Sequence, residues 1–305
     1  MKRSLITYLY KKVKTKVFIF STLVFVITSS LISFTIYSTT KSSMIDLLDQ
    51  NSTRNIEVLD EMLSYIFEKK HQEITTIAEQ LGSTNIRNKA KVYDILKSYK
   101  IKEKDIISIS LTSSEGDLLG YASHSPYSAY DPKSKAWFTK AQSSDDVVIS
   151  DPHVDGLNST LPVVTIAKST YDRKAVVAIN LSLAILQERM NSITIGHDGY
   201  PILLNENHKL VIHPTLQPGM SLNKVPYLLK VYESDSGNFL YQTPTQTRKI
   251  LYTTNDYTGW KVAGTASTSE IMAETKPLIL WGVVPWLFLI AVIGIRRIYP
   301  VFKVR

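Results

Sequence analysis

The chain has 305 residues and a formal charge of +8 at neutral pH. It contains no cysteine, which excludes a disulfide framework, a cysteine-ligated metal site and a cysteine nucleophile. The basic excess lies at the two ends, because residues 39–276 hold 25 of the 35 basic residues and all 27 acidic residues. This distribution argues against a nucleic acid as partner, since a nucleic-acid-binding face needs basic residues clustered on one domain.

Two uncharged stretches have the length of membrane-spanning helices. Residues 17–38 and 277–295 provide 22 and 19 residues, and roughly 20 are needed to cross a hydrocarbon core of about 30 Å. Lysine and arginine lie outside both stretches, in residues 1–16 and 296–305, where no acidic residue occurs. By the positive-inside rule, the sequence predicts a cell-membrane protein with two spans, two cytoplasmic tails and residues 39–276 outside the cell.

Residues 39–82 have the periodicity of one long helix. No glycine or proline interrupts them before Gly82, and apolar residues recur at spacings built from three and four: Leu48, Leu59, Leu63, Ile66, Ile74, Ile77 and Leu81. We expect this stripe to pack against the domain that follows or against a second subunit. A more specific alternative is a coiled-coil-like dimer contact, for which Ser52, Asn55 and Lys70 on the stripe are poorly suited.

After residue 82, short apolar runs alternate with turn residues, a pattern typical of antiparallel sheets. Residues 83–192 contain candidate strands at 106–111, 117–122, 147–150, 162–168 and 175–181, with a closing helix at 183–190. Residues 193–270 repeat the pattern, with candidate strands at 200–204, 209–212, 238–242, 249–254 and 260–266 and a helical segment at 222–232. The sequence therefore predicts an α+β fold with a long N-terminal helix and two antiparallel-sheet modules.

Catalytic and metal-binding motifs are missing from the outer region. G-x-S-x-G and H-E-x-x-H do not occur, and the one Ser-x-x-Lys, from Ser221 to Lys224, lacks the companion motifs of the enzymes that use it. The six histidines form no pair at helical spacing. We predict no enzymatic activity, no cofactor and no metal, with a surface-anchored hydrolase as the less favoured alternative.

Five segments of the outer region carry a resemblance to a known family. They are YDPKSKAWFTKA, VVISDPHVD, VVTIAKSTYDRKAVVAINLSLAIL, IGHDGYPILLNENHKLVIHP, and DSGNFLYQ with YTTNDYTGWKVAG, in this order over residues 130–264. They are similar to the double Cache sensory domain of bacterial methyl-accepting chemotaxis receptors, most of all those of the Bacillus group. The resemblance implies two PAS-like modules, a membrane-distal ligand module in residues 83–192 and a membrane-proximal module in residues 193–270.

The resemblance also assigns a ligand site in the distal module. Family members that sense amino acids carry Tyr-Asp-Pro-x-x-Arg-x-Trp-Tyr, then a tyrosine and an aspartate in a loop and an aspartate late in a strand. The matching positions are Tyr130, Lys135, Trp137, Phe138, His153, Asp155 and Asn180. In the family pattern the arginine binds a ligand carboxylate, and the aspartates and tyrosine bind an ammonium group. Lys135 keeps the positive charge but not the planar guanidinium that binds a carboxylate through two hydrogen bonds. Phe138 lacks a hydroxyl, and Asn180 a negative charge, that the family uses for the ammonium group. We expect a small polar ligand, and a carboxylate fits these residues better than a standard α-amino acid.

The sequence thus predicts a membrane-anchored sensor for chemotaxis or transmembrane signal transduction. A complete receptor continues into a cytoplasmic signalling region, whereas this chain ends ten residues after residue 295. We expect a homodimer or a mixed dimer with a full-length receptor, and output through that receptor or through a separate cytoplasmic protein that binds residues 296–305. The alternatives are a surface interaction protein without a ligand and a decayed chemoreceptor fragment, in which Trp137 and Phe138 would serve as core aromatics alone.

Overall fold

The computed structural model describes residues 2–122, 131–155, 161–196, 198–243 and 246–267, and in addition residues 284, 286, 287 and 291. The chain divides into two compact units, one of residues 1–50 with 268–305 and the other of residues 51–267. The second predicted span lies outside the described residues apart from the four single positions, and the C-terminal tail lies outside them entirely.

Helix α1 (Lys2–Gly82) contains the first predicted span. Within the described residues it is the one helix long and apolar enough to cross a membrane, and its most apolar 18-residue window has a mean hydropathy of 2.2 and is 6% buried. Thr22, Thr28 and Thr35 donate to carbonyls four residues earlier, at distances between 2.5 and 3.0 Å. All three hydroxyls are therefore hydrogen-bonded within the helix, as is required of polar groups in a helix that spans a membrane.

The first sheet of the second unit is antiparallel and has six strands. They are β1 (Ile106–Ser113), β2 (Leu118–Ala122), β3 (Val148–Ile149), β4 (His153–Val154), β5 (Pro162–Ser169) and β6 (Ala175–Ser182). The order is β2-β1-β6-β5-β3, and β4 also pairs with β5. All five predicted strands and the closing helix, α4 (Leu183–Asn191), are confirmed. Helices α2 (Lys89–Lys102) and α3 (Ala136–Ser143) and the short β4 were not predicted.

The second sheet is antiparallel and has five strands. They are β7 (Tyr200–Leu204), β8 (Leu210–Ile212), β9 (Gly237–Gln242), β10 (Thr247–Thr254) and β11 (Lys261–Ser267), in the order β8-β7-β11-β10-β9. All five predicted strands are confirmed. The helical segment over 222–232 forms two 3-10 helices, Leu222–Lys224 and Pro226–Tyr232, because Pro226 lacks the amide hydrogen needed to continue the first one.

The apolar stripe of α1 packs against both sheets. Its fully buried residues are Leu59, Leu63, Ile74, Ile77 and Leu81. They share one core with residues of β1, β6, β7 and β11, and the Phe67 ring meets the Trp260 ring edge-on with 5.0 Å between centroids. Burying one such side chain contributes about 1.5 to 3 kcal/mol. The expectation that the stripe packs against the following domain is confirmed.

Lys70 is a buried charge on this apolar stripe, with 1% of its surface exposed. Its Nζ lies 3.0 Å from a Glu73 carboxylate oxygen, 3.2 Å from Glu103 and 3.3 Å from Asp105. Burial raises the pKa of Glu103, but the hydrogen bond from Lys69 and the charge of Lys70 outweigh it, so that this pKa lies below its ordinary value. Three carboxylates therefore surround the ammonium group, and the two that lie outside α1, those of Glu103 and Asp105, hold the helix at a fixed position along its axis.

Replacing Lys70 with alanine tests this charge cluster. We expect Lys70→Ala to lower the free energy of unfolding by about 3 to 5 kcal/mol, because it removes the buried cation from between three carboxylates, which keep only the half-exposed Lys69 and Arg189 as partners. Lys69→Ala is the matched control, since Lys69 contacts Glu73 and Glu103 from the next position but is 43% exposed, and we expect it to cost less than about 1 kcal/mol. Equal losses in urea denaturation of the two variants would contradict this account.

Candidate functional site

A cavity in the second unit contains part of the predicted ligand site. Its volume is about 410 Å³. The residues that line it come from the start of α3, from β3, from β4 with the loop before it, and from the turn after β7: Lys135, Ala136, Trp137, Lys140, Val148, Ile149, Ser150, Asp151, His153, Val154 and Asn207. The structure therefore brings Lys135, Trp137 and His153 together, although 18 positions separate the first from the last.

The backbone around Lys135 is shaped by two successive helix starts. Asp131 Oδ1 accepts the amide hydrogen of Lys133 at 3.0 Å and caps a single 3-10 turn, Pro132–Ser134. Lys135 then takes an extended conformation as the N-cap of α3. This break between two helical segments places Lys135 and Trp137 on the wall of the same cavity.

Trp137 and Phe138 are both buried, and their rings meet edge-on with 5.9 Å between centroids. They form an apolar cluster with one residue of α3 and three of β5 and β6: Ala141, Ala167, Val176 and Ala178. Phe138 belongs to this cluster and is not among the residues that line the cavity, so its packing is that of a core aromatic. Trp137 both packs in the cluster and lines the cavity, and its Nε1 is buried with no acceptor among the described residues.

The imidazole of His153 is held at both ring nitrogens. Nδ1 lies 3.0 Å from the carbonyl oxygen of Asp151 and 3.3 Å from Ser150 Oγ. Nε2 lies 3.2 Å from Thr165 Oγ1, and the Thr165 hydroxyl donates to Asn180 Oδ1 at 2.6 Å. These contacts fix the orientation of the ring beside the cavity.

Asn180 continues this series of hydrogen-bonded side chains into the sheet, and we call His153, Thr165, Asn180, Asp155 and Ser108 together the polar row. Its Nδ2 donates to Asp155 Oδ1 at 2.8 Å and to Ser108 Oγ at 3.0 Å. The register explains the arrangement, since Ser108 on β1 and Thr165 on β5 lie directly opposite Asn180 on β6. Asp155 and Asn180 do not line the cavity, and they reach it through Thr165 and His153. Tyr130, the remaining predicted residue, lies outside the described residues.

Asp151 and Asn207 are polar residues of the cavity wall that the sequence did not indicate. Asp151 Oδ1 accepts from Asn207 Nδ2 at 2.8 Å and from Asn205 Nδ2 at 2.7 Å, and this second pair is separated by 54 positions. No local pattern signals a contact over that distance. Lys140 was also missed, because helix α3, on which it lies, was not predicted.

The sequence profile of the Cache domain family matches residues 36–275. The chain belongs to the double Cache family. Among curated relatives, the methyl-accepting chemotaxis protein McpA of Bacillus subtilis is 29% identical over 246 residues, which is 80% of this chain and 37% of the relative. McpB of the same organism is 26% identical over 281 residues, 89% of this chain and 41% of the relative. The double Cache chain therefore spans about two fifths of the length of these relatives.

Solved chemoreceptor domains have the same fold. The ligand-binding domain of Pseudomonas fluorescens CtaA in complex with L-isoleucine matches with a TM-score of 0.62 and 17% identity, covering 77% of this chain and 98% of that one. The ligand-binding domain of Campylobacter jejuni Tlp3 in complex with L-valine matches with a TM-score of 0.59 and 19% identity, covering 76% of this chain and 97% of that one. Cache domains of chemoreceptors bind ligands and are not enzymes, so the family confirms the prediction that this domain is sensory and not catalytic.

The contribution of the polar row can be measured at Thr165. We expect Thr165→Val to lower the free energy of unfolding by about 1 to 3 kcal/mol, because Asn180 Oδ1 loses its buried donor and His153 Nε2 loses its partner. Thr165→Ser retains the hydroxyl and is the control, with a smaller expected loss. Urea denaturation of the purified chain gives both values, and a valine variant no less stable than the serine variant would contradict this account.

Proposed function

We propose that the chain is a membrane-anchored extracytoplasmic sensor whose distal module binds a small carboxylate in the cavity beside Lys135. The charge of the cavity wall carries this proposal. Lys135 and Lys140 are its two lysines, and Asp151 is its one acidic residue. The amides of Asn205 and Asn207 occupy one oxygen of Asp151, and Lys209 Nζ lies 3.9 Å from the other. The wall therefore attracts an anion.

The same residues disfavour an ammonium group. Where amino-acid-sensing relatives have an aspartate, this chain has Asn180, whose Nδ2 already donates to Asp155 Oδ1. The solved domains of CtaA and Tlp3 hold L-isoleucine and L-valine, which carry both a carboxylate and an ammonium group. We infer a ligand that shares the carboxylate with these amino acids and lacks the second charge.

We assign the predicted site residues to different roles. Lys135 and Trp137 contact the ligand, together with Tyr130 from the segment outside the described residues. His153 borders the cavity, and Asp155 and Asn180 position its ring through the polar row. Phe138 supports Trp137 from the apolar cluster.

The membrane topology is part of the same proposal. Two spans at 17–38 and 277–295 would hold the sensor of residues 39–276 outside the cell, with its distal module in residues 83–192, its proximal module in 193–270 and both tails in the cytoplasm. The apolar window in α1 supports the first span. The curated relatives are methyl-accepting chemotaxis proteins, which supports a role in chemotaxis and a partner of the same family, either a second copy or a full-length receptor.

A thermal-shift screen of the full chain in lipid nanodiscs tests the ligand class. We expect a small carboxylate to raise the melting temperature, and α-amino acids and amines to have little effect. A ligand at 100 times its Kd stabilises by about 2.7 kcal/mol, a shift of several degrees. The response should disappear in Lys135→Ala and weaken in Trp137→Phe. Lys133→Ala is the control, because Lys133 is exposed two residues away and does not line the cavity. A panel without any stabilising carboxylate would refute the proposal.

Asn180→Asp tests why an amino acid is disfavoured. The substitution restores the family aspartate, so we expect the variant to gain binding of an α-amino acid such as L-valine. Without ligand, the new carboxylate lies beside buried Asp155, which raises its pKa above the unfolded value of about 3.9. The variant should then match the wild type below pH 4 and lose stability as the pH rises towards 7. Melting curves from pH 4 to pH 8, with and without L-valine, check both expectations, and a variant that stays indifferent to L-valine would contradict the first.

A further inference from the structure

The two lysines of the cavity wall lie on one short helical segment. Lys135 is the N-cap of α3, and Lys140 lies on the helix five positions later. A helix rises about 1.5 Å per residue, so their backbone positions are about 7.5 Å apart along its axis. Both side chains line the cavity, where Lys135 is half-buried and Lys140 is exposed. The cavity therefore presents two separate positive charges and not one.

The acidic residue of the cavity does not offset both of these charges. Asp151 is the one acid on the described part of the wall. Its carboxylate accepts from the amides of Asn205 and Asn207, and Lys209 Nζ lies 3.9 Å from it. Among the described residues, Lys140 Nζ has neither a hydrogen-bond partner nor an ion-pair partner. The wall thus carries a lysine charge that no described acid neutralises.

Much of the remaining wall is apolar, and the cavity is large for a short acid. Ala136, Val148, Ile149 and Val154 line it beside the Trp137 ring. Its volume of about 410 Å³ falls in the range of about 300 to 1,000 Å³ that is typical of small-molecule cavities. A short acid such as acetate would leave most of that volume, and one of the two lysines, to water.

A hydrocarbon chain with a carboxylate at each end uses every part of this wall. Lysine is a point charge on a flexible stem and does not require a planar partner, so each ammonium group can pair with one carboxylate. The methylene groups between the carboxylates have apolar side chains to contact. A compact dianion such as sulfate carries both charges on one centre and leaves the apolar wall without a partner.

We infer that the ligand of this cavity is a linear dicarboxylate, with one carboxylate at Lys135, the other at Lys140 and its methylene chain against the apolar wall. The inference rests on the proposed function, because it names the second anionic group of the same ligand. It makes Lys140 a specificity-determining residue. Lys135 pairs with any carboxylate, whereas Lys140 pairs only with a ligand that carries a second one.

Matched pairs of acids test the inference on the full chain in lipid nanodiscs. Succinate, glutarate and adipate are each compared with the monocarboxylate of the same chain length, butyrate, pentanoate or hexanoate, and with sulfate, all at equal ionic strength. The Kd of each comes from the melting temperature over a concentration series. Lys140→Gln removes the charge, and Lys140→Arg keeps it. Lys133→Gln is the control, because Lys133 is exposed and does not line the cavity.

We expect at least one dicarboxylate to bind the wild type about fivefold more tightly than its matched monocarboxylate, which is the upper range for an ion pair with an exposed lysine. Lys140→Gln should abolish this preference by weakening the binding of the dicarboxylate alone. Lys140→Arg should keep the preference, and Lys133→Gln should leave both dissociation constants unchanged.

The results that overturn the inference alone differ from the result that also refutes the proposed function. Equal dissociation constants for the two members of every pair, or a preference that survives in Lys140→Gln, would leave a site for single carboxylates. Sulfate that binds as tightly as the dicarboxylates would show a site for a compact dianion. A chain that responds to none of the acids would refute both the inference and the proposed function.

Discussion

The burial of one face of α1 against two sheets is the constraint on which the fold of residues 51–267 depends. The largest apolar core joins that face to strands of both sheets, and each sheet has in addition a smaller apolar cluster without residues of α1, one around Trp137 and Phe138 and one around Leu222 and Leu228. Apolar contacts by themselves permit a helix to slide, and polar contacts at separate points prevent it. Asn55 donates to the Thr194 carbonyl oxygen at 2.7 Å, Lys70 pairs with Glu103 and Asp105, and Asn255 donates to Asp60 Oδ1 at 2.8 Å. The polar residues on the stripe therefore define the register of the helix.

The cavity at Lys135 combines an apolar wall with a polar one. Trp137 is anchored by the cluster around Phe138, and His153 is anchored by the row that runs through Thr165 to Asn180. Both anchors are buried, which makes the positions of the two cavity-lining rings a property of the sheet and not of an exposed loop. Two of the departures from the family's amino-acid-sensing pattern, Phe138 and Asn180, lie within these anchors.

The cavity at Lys135 is bordered by residues of both modules. Two lysines line it in the first module, and the turn after β7 in the second module completes the wall with Asn207. Asp151 of the first module accepts hydrogen bonds from Asn205 and Asn207 of the second. A ligand in this cavity would therefore contact residues of both modules, which provides a physical route for coupling ligand binding to the second module.

The sequence by itself determined the helix α1 and all ten predicted strands, because period-two and helical patterns and turn residues act over a few positions. The family came from the resemblance of five ordered segments. It did not indicate α2, whose buried face consists of only three residues, Val92, Ile95 and Leu96, or α3, which has eight residues. It placed Lys135, Trp137 and His153 in one site through the family pattern. Only the tertiary structure decided that Phe138 is packed in the core, that Thr165 joins His153 to Asn180, and that Asn207 completes the cavity. The reason is that strand register and contacts between modules bring together residues far apart in sequence, and no local pattern encodes them.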